Sequence, residues 1–448
     1  MENIPENKRI LVGEIFRDIP LTKFHWKVLV VLFVAFAIEA WEFMVPFFTV
    51  GGLMNYFNVD YDIAGLLMSS AFFGALAGAY LLAPIADIIG RKKTIILGLI
   101  GYSVFNLITT ISPSDSWIFF FISRFLAGFF LIVVMVQPFP LLEELLPVKV
   151  RGRMATYLAA GWPIGTMMLI GAVYLLYPNY GWQGVFAFSS LVALLWLVAV
   201  VLMVPESPYY LVSKNMQDQA KKIINEKITG QKDYVPEDIQ LYTLQVKGKF
   251  RLVELFRKDY VKYTILIFLG NFFFSFGYWG LFSWLPTILA SRGLTFITTL
   301  DFVFVSALAQ FPGYFAAAYW EEKKIGRKKL LMIFLIAAAI GTFLFAYSYS
   351  FEMMIVSLVI LSFFNLGGWG IWDVWQPELY PTELRGTLMG WIGGAQRITN
   401  SIAPSVLGFM LATHAISFDG IVILVALSLI VTALVVIPLK ETRGEILI

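Results

Sequence analysis

Twelve long apolar runs dominate this chain, and each is close to the length needed to cross a lipid bilayer. A spanning helix takes about 20 mainly apolar residues. Such runs lie near 27–54, 61–86, 93–112, 116–143, 154–177 and 182–204, and again near 259–289, 297–320, 328–348, 352–375, 387–412 and 417–438. One long polar stretch, Pro205 to Lys258, separates the sixth from the seventh. The pattern predicts an all-α membrane protein of twelve transmembrane helices in two pseudo-symmetric six-helix bundles. The expected divisions are a polar N-terminal segment 1–26, a first bundle 27–204, a linker 205–258, a second bundle 259–438 and a tail 439–448.

Composition agrees. Only 14% of the 448 residues are charged while 59% are hydrophobic, against about a quarter and about a half in soluble domains. A chain with so little polar surface has lipid as its solvent, which excludes a soluble enzyme, a nucleic-acid binder and a disordered scaffold. There is no cysteine, and the only histidines are His25 and His414. Disulfides, zinc and iron–sulfur clusters and Cys–His nucleophiles are thereby ruled out. No nucleophile–base set or phosphate loop suggests an enzyme, and no cofactor is expected. The segment Met1–Lys23 lacks the apolar core and small-residue cleavage site of a signal peptide, so the first run is expected to be retained as a helix.

Basic residues accumulate in cytoplasmic loops. Of 33 Lys and Arg, Arg124 and Arg397 fall inside spans and Arg292 in a loop on one side; the other 30 fall on the opposite side. Both termini and the linker are therefore expected in the cytoplasm of a multi-pass plasma-membrane protein.

The two halves also repeat. Glu144-Leu145-Leu146-Pro147 with Arg151-Gly152 recurs 234 positions later as Glu378-Leu379-Tyr380-Pro381 with Arg385-Gly386. Gly90-Arg91-Lys92-Lys93 recurs 236 positions later as Gly326-Arg327-Lys328-Lys329. Secondary transporters build two rocking bundles around a central site from such repeats.

On these motifs the chain resembles a major facilitator superfamily transporter. Asp87-x-x-Gly90-Arg91-Lys92 resembles the family's loop between spans two and three, with Ala83 at the usual leading glycine; in the second copy Lys323 stands where an acid is expected, beside Glu322. Arg124 with Gly128, and Gly181-Trp182 with Phe186, resemble its fourth- and sixth-span patterns. Pro205-Glu206-Ser207-Pro208 and Glu441-Thr442-Arg443-Gly444 point to the sugar and organic-ion porter branch. Glu39-Ala40-Trp41-Glu42 stands where niacin permeases, aromatic-acid:proton symporters and synaptic-vesicle-glycoprotein-like proteins carry an acid-x-x-acid pattern, mostly as aspartates. The seventh span, from Asn271 through Tyr278-Trp279-Gly280 to Trp284-Leu285-Pro286, lacks the paired glutamines of sugar porters, although Gln396 and Asn400 could hydrogen-bond a polyol. The resemblance thus implies alternating access and favours organic ions over sugars.

Physical reasoning ranks the residues. Glu39 lies about 18 Å along the helix from Lys27, near the midplane, with Glu42 one turn further. An intramembrane charge costs at least about 2.5 kcal/mol, so two carboxylates a turn apart need a reason: proton exchange, substrate binding, or ion pairs with neighbouring helices. The resemblance implies that Arg124 couples to Glu39 and is released when the acid is protonated. Arg397, about 18 Å into its span from Arg385, fits a substrate carboxylate and equally the counter-ion of Glu39 or Glu42. Asp373 is either a second acidic site or a wet helix end. Trp41, Trp162, Tyr278, Trp279, Trp369 and Trp372 are candidates to stack on a planar substrate, of which about a third should touch it, the rest packing helices or anchoring interfaces. By resemblance, Asp87, Arg91, Glu144, Arg151, Glu378 and Arg385 are implied to latch the bundles together when the inside is closed and to part for inward opening. The Gly and Pro of 161–165 and 367–370 suit bending or tight packing.

The reading is proton-coupled symport of a small organic solute by a monomer whose partners are the bilayer and that solute, with the proton gradient as energy source. A proton-coupled sugar porter, a proton-driven exporter and a transport-dead receptor are its rivals.

Overall fold

The computed structural model describes residues 9–243, 252–321 and 325–442. Glu322, Lys323, Arg443 and Gly444 lie outside them.

The first half contains α1 (Lys23–Phe57), α2 (Tyr61–Leu81), α3 (Arg91–Thr110) and α4 (Trp117–Val136, continued by Pro138–Leu145). A 43-residue helical run, Gly161–Met203, follows. It is broken at Gly181, whose φ of 61° no helix tolerates, into α5 (161–180) and α6 (182–203). The second half contains α7 (Val261–Ser291), α8 (Phe296–Glu321), α9 (Arg327–Ala346), α10 (Phe351–Trp375), α11 (Thr382–Ala412) and α12 (Phe418–Val436). Among the described residues, ten runs are long and apolar enough to span a membrane, one of them holding both α5 and α6; α11, with Arg385 and Arg397 in it, is outside that set. The twelve-helix plan therefore stands. Helix ends run a few residues past the apolar stretches because the polar ends remain in a wet zone; Thr22 and His25 cap α1 reciprocally.

The linker is more ordered than its polarity suggests. It forms short helices at Pro208–Ser213 and Gln217–Lys222 and a π-turn run at Ile223–Thr229. It then supplies a strand, β2 (Gln240–Tyr242), that pairs in parallel with β1 (Arg9–Leu11) of the N-terminal arm, Arg9 opposite Gln240. After β1 the arm turns into a short helix that buries Val12, Phe16 and Ile19.

At the linker face each half repeats one device. Gly90 and Gly326, at φ of 106° and 87°, turn the chain into α3 and α9, a conformation that favours glycine. A carboxylate from the end of the same half caps each helix. Glu206 accepts from the Lys92 N–H at 3.1 Å. Glu441 accepts from Arg327 N–H and Lys328 N–H, both at 3.0 Å. Negative charge at a helix N-terminus meets unpaired N–H groups and the positive end of the helix dipole.

The expected latching charges are paired inside their own halves in this conformation. Arg91 meets Asp87 at 2.9 Å and Glu144 at 3.5 Å. Glu378 pairs with Arg327. Arg151 and Arg385 donate to main-chain carbonyls, of Leu146 at 3.2 Å and of Tyr380 at 3.1 Å. In this conformation these residues brace each half from within.

The halves meet on the far face. α2 packs along α11 and the α5–α6 run against α8. Ser405 Oγ lies 2.8 Å from Ser69 Oγ and 3.3 Å from the Gly65 carbonyl oxygen. A Cβ on Gly408 would sit 2.3 Å from the Tyr61 carbonyl oxygen, and one on Gly65 2.7 Å from that of Pro404. Far-face closure therefore rests on backbone against backbone, the close approach that small residues allow in lipid. The apolar core runs through both halves on this side, whereas the linker-side core of the second half, including Phe274, Phe334 and Trp372, forms a separate cluster. The molecule is closed on the far face and parted on the linker face.

Gly408→Val should prop the far face open. Because the chain has no cysteine, a single cysteine at Ser69 reports this: a membrane-impermeant maleimide should label it several-fold faster in the Gly408→Val background. Equal rates would mean that the contact is not what closes this side.

Candidate functional site

Between the halves lies a chamber of about 460 Å³. The first half contributes Phe36, Met135, Val136, Phe139 and Trp162; the second contributes Tyr278, Trp279, Tyr314, Trp369, Asp373, Gln396 and Asn400. Met135 and Trp369, Phe139 and Asp373, and Trp162 and Gln396 are each 234 positions apart, so the repeat brings corresponding positions to the same cavity. Their chemistry has diverged. The first half presents an apolar wall, and the second adds carboxylate, amide and phenol groups to its rings.

The aromatic side chains hold each other in place. Trp162 Nε1 donates to the Tyr278 hydroxyl at 3.2 Å, and its ring meets Trp279 edge-on at 5.7 Å. Trp369 stacks flat on Phe274, 4.3 Å between ring centres. Rings so fixed lose little freedom when a planar ligand slides between them.

A side cavity of about 60 Å³ shares Met135, Trp162, Trp279, Gln396 and Asn400 with the chamber and is completed by Glu39 and Arg397. Glu39 is fully buried, and neither carboxylate oxygen has a hydrogen-bond partner; Arg397 Nε and Asn400 Oδ1 are also unpartnered. Four buried polar atoms without partners around one small space form a site built for a polar group, since buried polar groups are otherwise satisfied.

Glu42 has a different fate. Three residues along a helix is about 60° round and 4.5 Å up, which takes Glu42 off the cavity face into the interior of the first half. There it accepts from Arg124 at 2.9 Å, both side chains wholly buried. Arg124 also donates to the Glu42 main-chain carbonyl at 3.0 Å and to Asn106 Oδ1 at 2.7 Å, and Asn106 Nδ2 donates to Glu42 Oε1 at 3.2 Å. The Phe186 ring lies 5.0 Å from the guanidinium. The implied Arg124–Glu39 pair is thereby corrected to Arg124–Glu42, and Glu39 instead faces Arg397 across the side cavity.

Of the aromatic candidates, Trp162, Tyr278, Trp279 and Trp369 line the chamber. Trp41 is buried against Phe188 and lines neither cavity. Trp372 is buried too, its Nε1 donating to Asn271 Oδ1 at 3.1 Å. Asn271 lies behind the wall rather than in it, holding Gln396 at 2.8 Å. Asp373, in the last turn of α10, is exposed and lines the chamber. Sequence reasoning missed Asn106, Tyr314 and Gln376. A polar residue inside an otherwise apolar run, such as Asn106, was the available signal.

Two helical halves, related by an internal repeat and enclosing a polar chamber at their junction, define a membrane transporter of the alternating-access kind. Residues 29–320 and 298–446 match the sequence profile of the Major Facilitator Superfamily, and the chain belongs to that superfamily. It is 28% identical over 431 residues to the niacin transporter NiaP of Acinetobacter baylyi, covering 96% of this chain and 97% of that one. It is 26% identical to the 4-hydroxybenzoate transporter PcaK of the same organism, covering 86% and 84%. In fold it is similar to the inward open xylose transporter XylE from E. coli, with a TM-score of 0.77 at 18% identity over 94% of this chain and 98% of that one.

Removing one partner of a buried ion pair strands the other and costs about 3–5 kcal/mol. Arg124→Gln should therefore lower the melting temperature in detergent by many degrees, whereas Glu39→Gln, which removes no hydrogen bond, should leave it nearly unchanged. A reversed order would exchange the roles of the two acids.

Proposed function

We propose that this chain carries a small aromatic carboxylic acid across the cell membrane together with a proton, by alternating access, working as a monomer with its termini and linker in the cytoplasm. The observation that carries the reading is Glu39, buried with no hydrogen-bond donor and facing Arg397 across the side cavity.

A bare carboxylate is costly at this depth, so Glu39 is answered either by the Arg397 charge or by a proton. While Glu39 is charged it competes for Arg397. Once it takes a proton, the guanidinium is free to hold a substrate carboxylate, and the ring lies in the chamber among Trp162, Trp279 and Trp369. Proton and acid then bind together, and the loaded site carries no net charge beyond that of the empty one. Such linkage is what makes a symporter: each ligand raises the affinity for the other. Positive-inside charge supports the orientation. The names of the relatives, transporters of niacin and 4-hydroxybenzoate, support the substrate class. The halves 27–204 and 259–438 are the two rocking bodies in this scheme.

Uptake into proteoliposomes under an imposed proton gradient tests it, with labelled nicotinate, 4-hydroxybenzoate and xylose compared side by side. Wild type should accumulate an acid and lose accumulation with an uncoupler. Glu39→Gln should keep downhill exchange but lose gradient-driven accumulation, and Arg397→Gln should weaken acid binding by at least about tenfold. Accumulation by Glu39→Gln equal to wild type would remove the proton role, and uptake of xylose alone would favour a sugar porter.

A further inference from the structure

Behind the second-half wall of the chamber, the polar groups form one closed chain whose direction is fixed at both ends. The Trp372 indole N–H can only donate and the Ile267 main-chain carbonyl can only accept. Trp372 Nε1 lies 3.1 Å from Asn271 Oδ1, so that atom must be the acceptor. Asn271 Nδ2 then donates, to the Ile267 carbonyl at 2.7 Å and to Gln376 Oε1 at 2.5 Å. With its oxygen turned to Asn271, Gln376 points its NH₂ at Asp373 Oδ1, 3.4 Å away. Gln396 Nε2 is likewise forced to be the donor to Asn271 Oδ1, at 2.8 Å, and the same amide lies within hydrogen-bond reach of the Asp373 carboxylate. Every N–H that these amides possess is thus directed at the protein. What they leave for the chamber is oxygen: Gln396 Oε1 and the Asp373 carboxylate.

We propose that Asn271 is a positioning residue that sets the hydrogen-bond polarity of the Gln396–Asp373 part of this wall, making it an acceptor patch that selects aromatic acids carrying a hydrogen-bond donor, such as a ring hydroxyl or amine, away from the carboxylate. The proposal rests on the acid reading above and narrows its substrate class. Asn271, Gln376 and Trp372 are fully buried and touch no ligand; they act through Gln396 and Asp373. A donor on the ring edge finds oxygen, whereas an ether oxygen in the same place meets like partial charge and loses its water without replacement. The apolar wall of Phe36, Met135 and Phe139 offers no competing polarity, while Ser275, Tyr314 and Asn400 place hydroxyl and amide groups elsewhere on the second-half wall.

Calorimetry on the purified protein tests this with probes that differ by one group: benzoate, 3- and 4-hydroxybenzoate, and their methoxy counterparts. Wild type should bind the better hydroxybenzoate about tenfold more tightly than its methoxy partner. Asn271→Leu removes the acceptor that holds Gln396 Nε2, so Gln396 can turn its NH₂ to the chamber, whereas Asn271→Asp keeps that acceptor. In Asn271→Leu the hydroxy-to-methoxy preference should fall to within about twofold while benzoate affinity holds, and in Asn271→Asp it should persist. A wild type that binds both alike, or variants that weaken all the probes by one factor, would overturn the proposal, the latter because a merely structural role moves every ligand equally. If no acid binds, the acid reading fails by itself, and phenol against anisole then reads the wall: phenol preferred and the preference lost in Asn271→Leu keeps the proposal, and any other result ends it.

Discussion

Every charge that this chain places in lipid has to be answered, and the answers divide the molecule into parts that are fixed and parts that respond. Arg124, Glu42 and Asn106 answer one another through short hydrogen bonds within the first half. Such a network in a low-dielectric interior is rigid, since loosening any member strands the rest. It locks α1, α3 and α4 into one body. Glu39, a single turn away, is left without a partner of its own, and its closest charge belongs to the other half. One helix therefore carries a structural acid and a free one, separated only by helical phase.

The repeat explains both the likeness of the halves and their division of labour. At the far face Tyr56 donates to the Ser112 carbonyl at 2.9 Å, and 236 positions on Arg292 donates to the Ser348 carbonyl at 3.2 Å. The job of tying the end of the half's first helix to the loop after its third is kept, although the side chain has changed. The carboxylate caps of α3 and α9 are kept as well. Inside the bundles the halves part company: the positions of Glu42 and Asn106 are held in the second half by Tyr278 and Thr342, which need no arginine. Where framework is required the repeat is conservative, and where the chamber is lined it has diverged into an apolar wall and a polar one.

Much of this was legible in the sequence because lipid simplifies the problem. With no water to satisfy the backbone, an apolar run of the right length has one outcome, and span number and the six-plus-six plan follow directly. Glu39, Arg397, Asp373, Trp162 and Trp279 stood out as polar or aromatic groups at membrane depth. What could not be read was helix rotation. Whether Glu39 or Glu42 meets Arg124 depends on about 60° of phase around α1, and no periodicity in a helix buried nearly all round reveals it. The same blindness put Trp41 and Trp372 among the candidates and left Asn271 in the wall rather than behind it. The pairing of the N-terminal arm with the linker was hidden for another reason: three-residue strands far apart in sequence leave no pattern.

That pairing has a consequence for how the chain is made. β1 precedes the first membrane span and β2 follows the sixth, so at the ribosome the arm waits, without its partner, while all of α1 to α6 are threaded into the bilayer. Only when Gln240–Tyr242 emerges can the strand pair form, while the arm's apolar helix rests on earlier parts of the chain, Phe16 beside Tyr209. Both strands of this clasp therefore come from segments that precede α7, and no part of the second half is needed to close it.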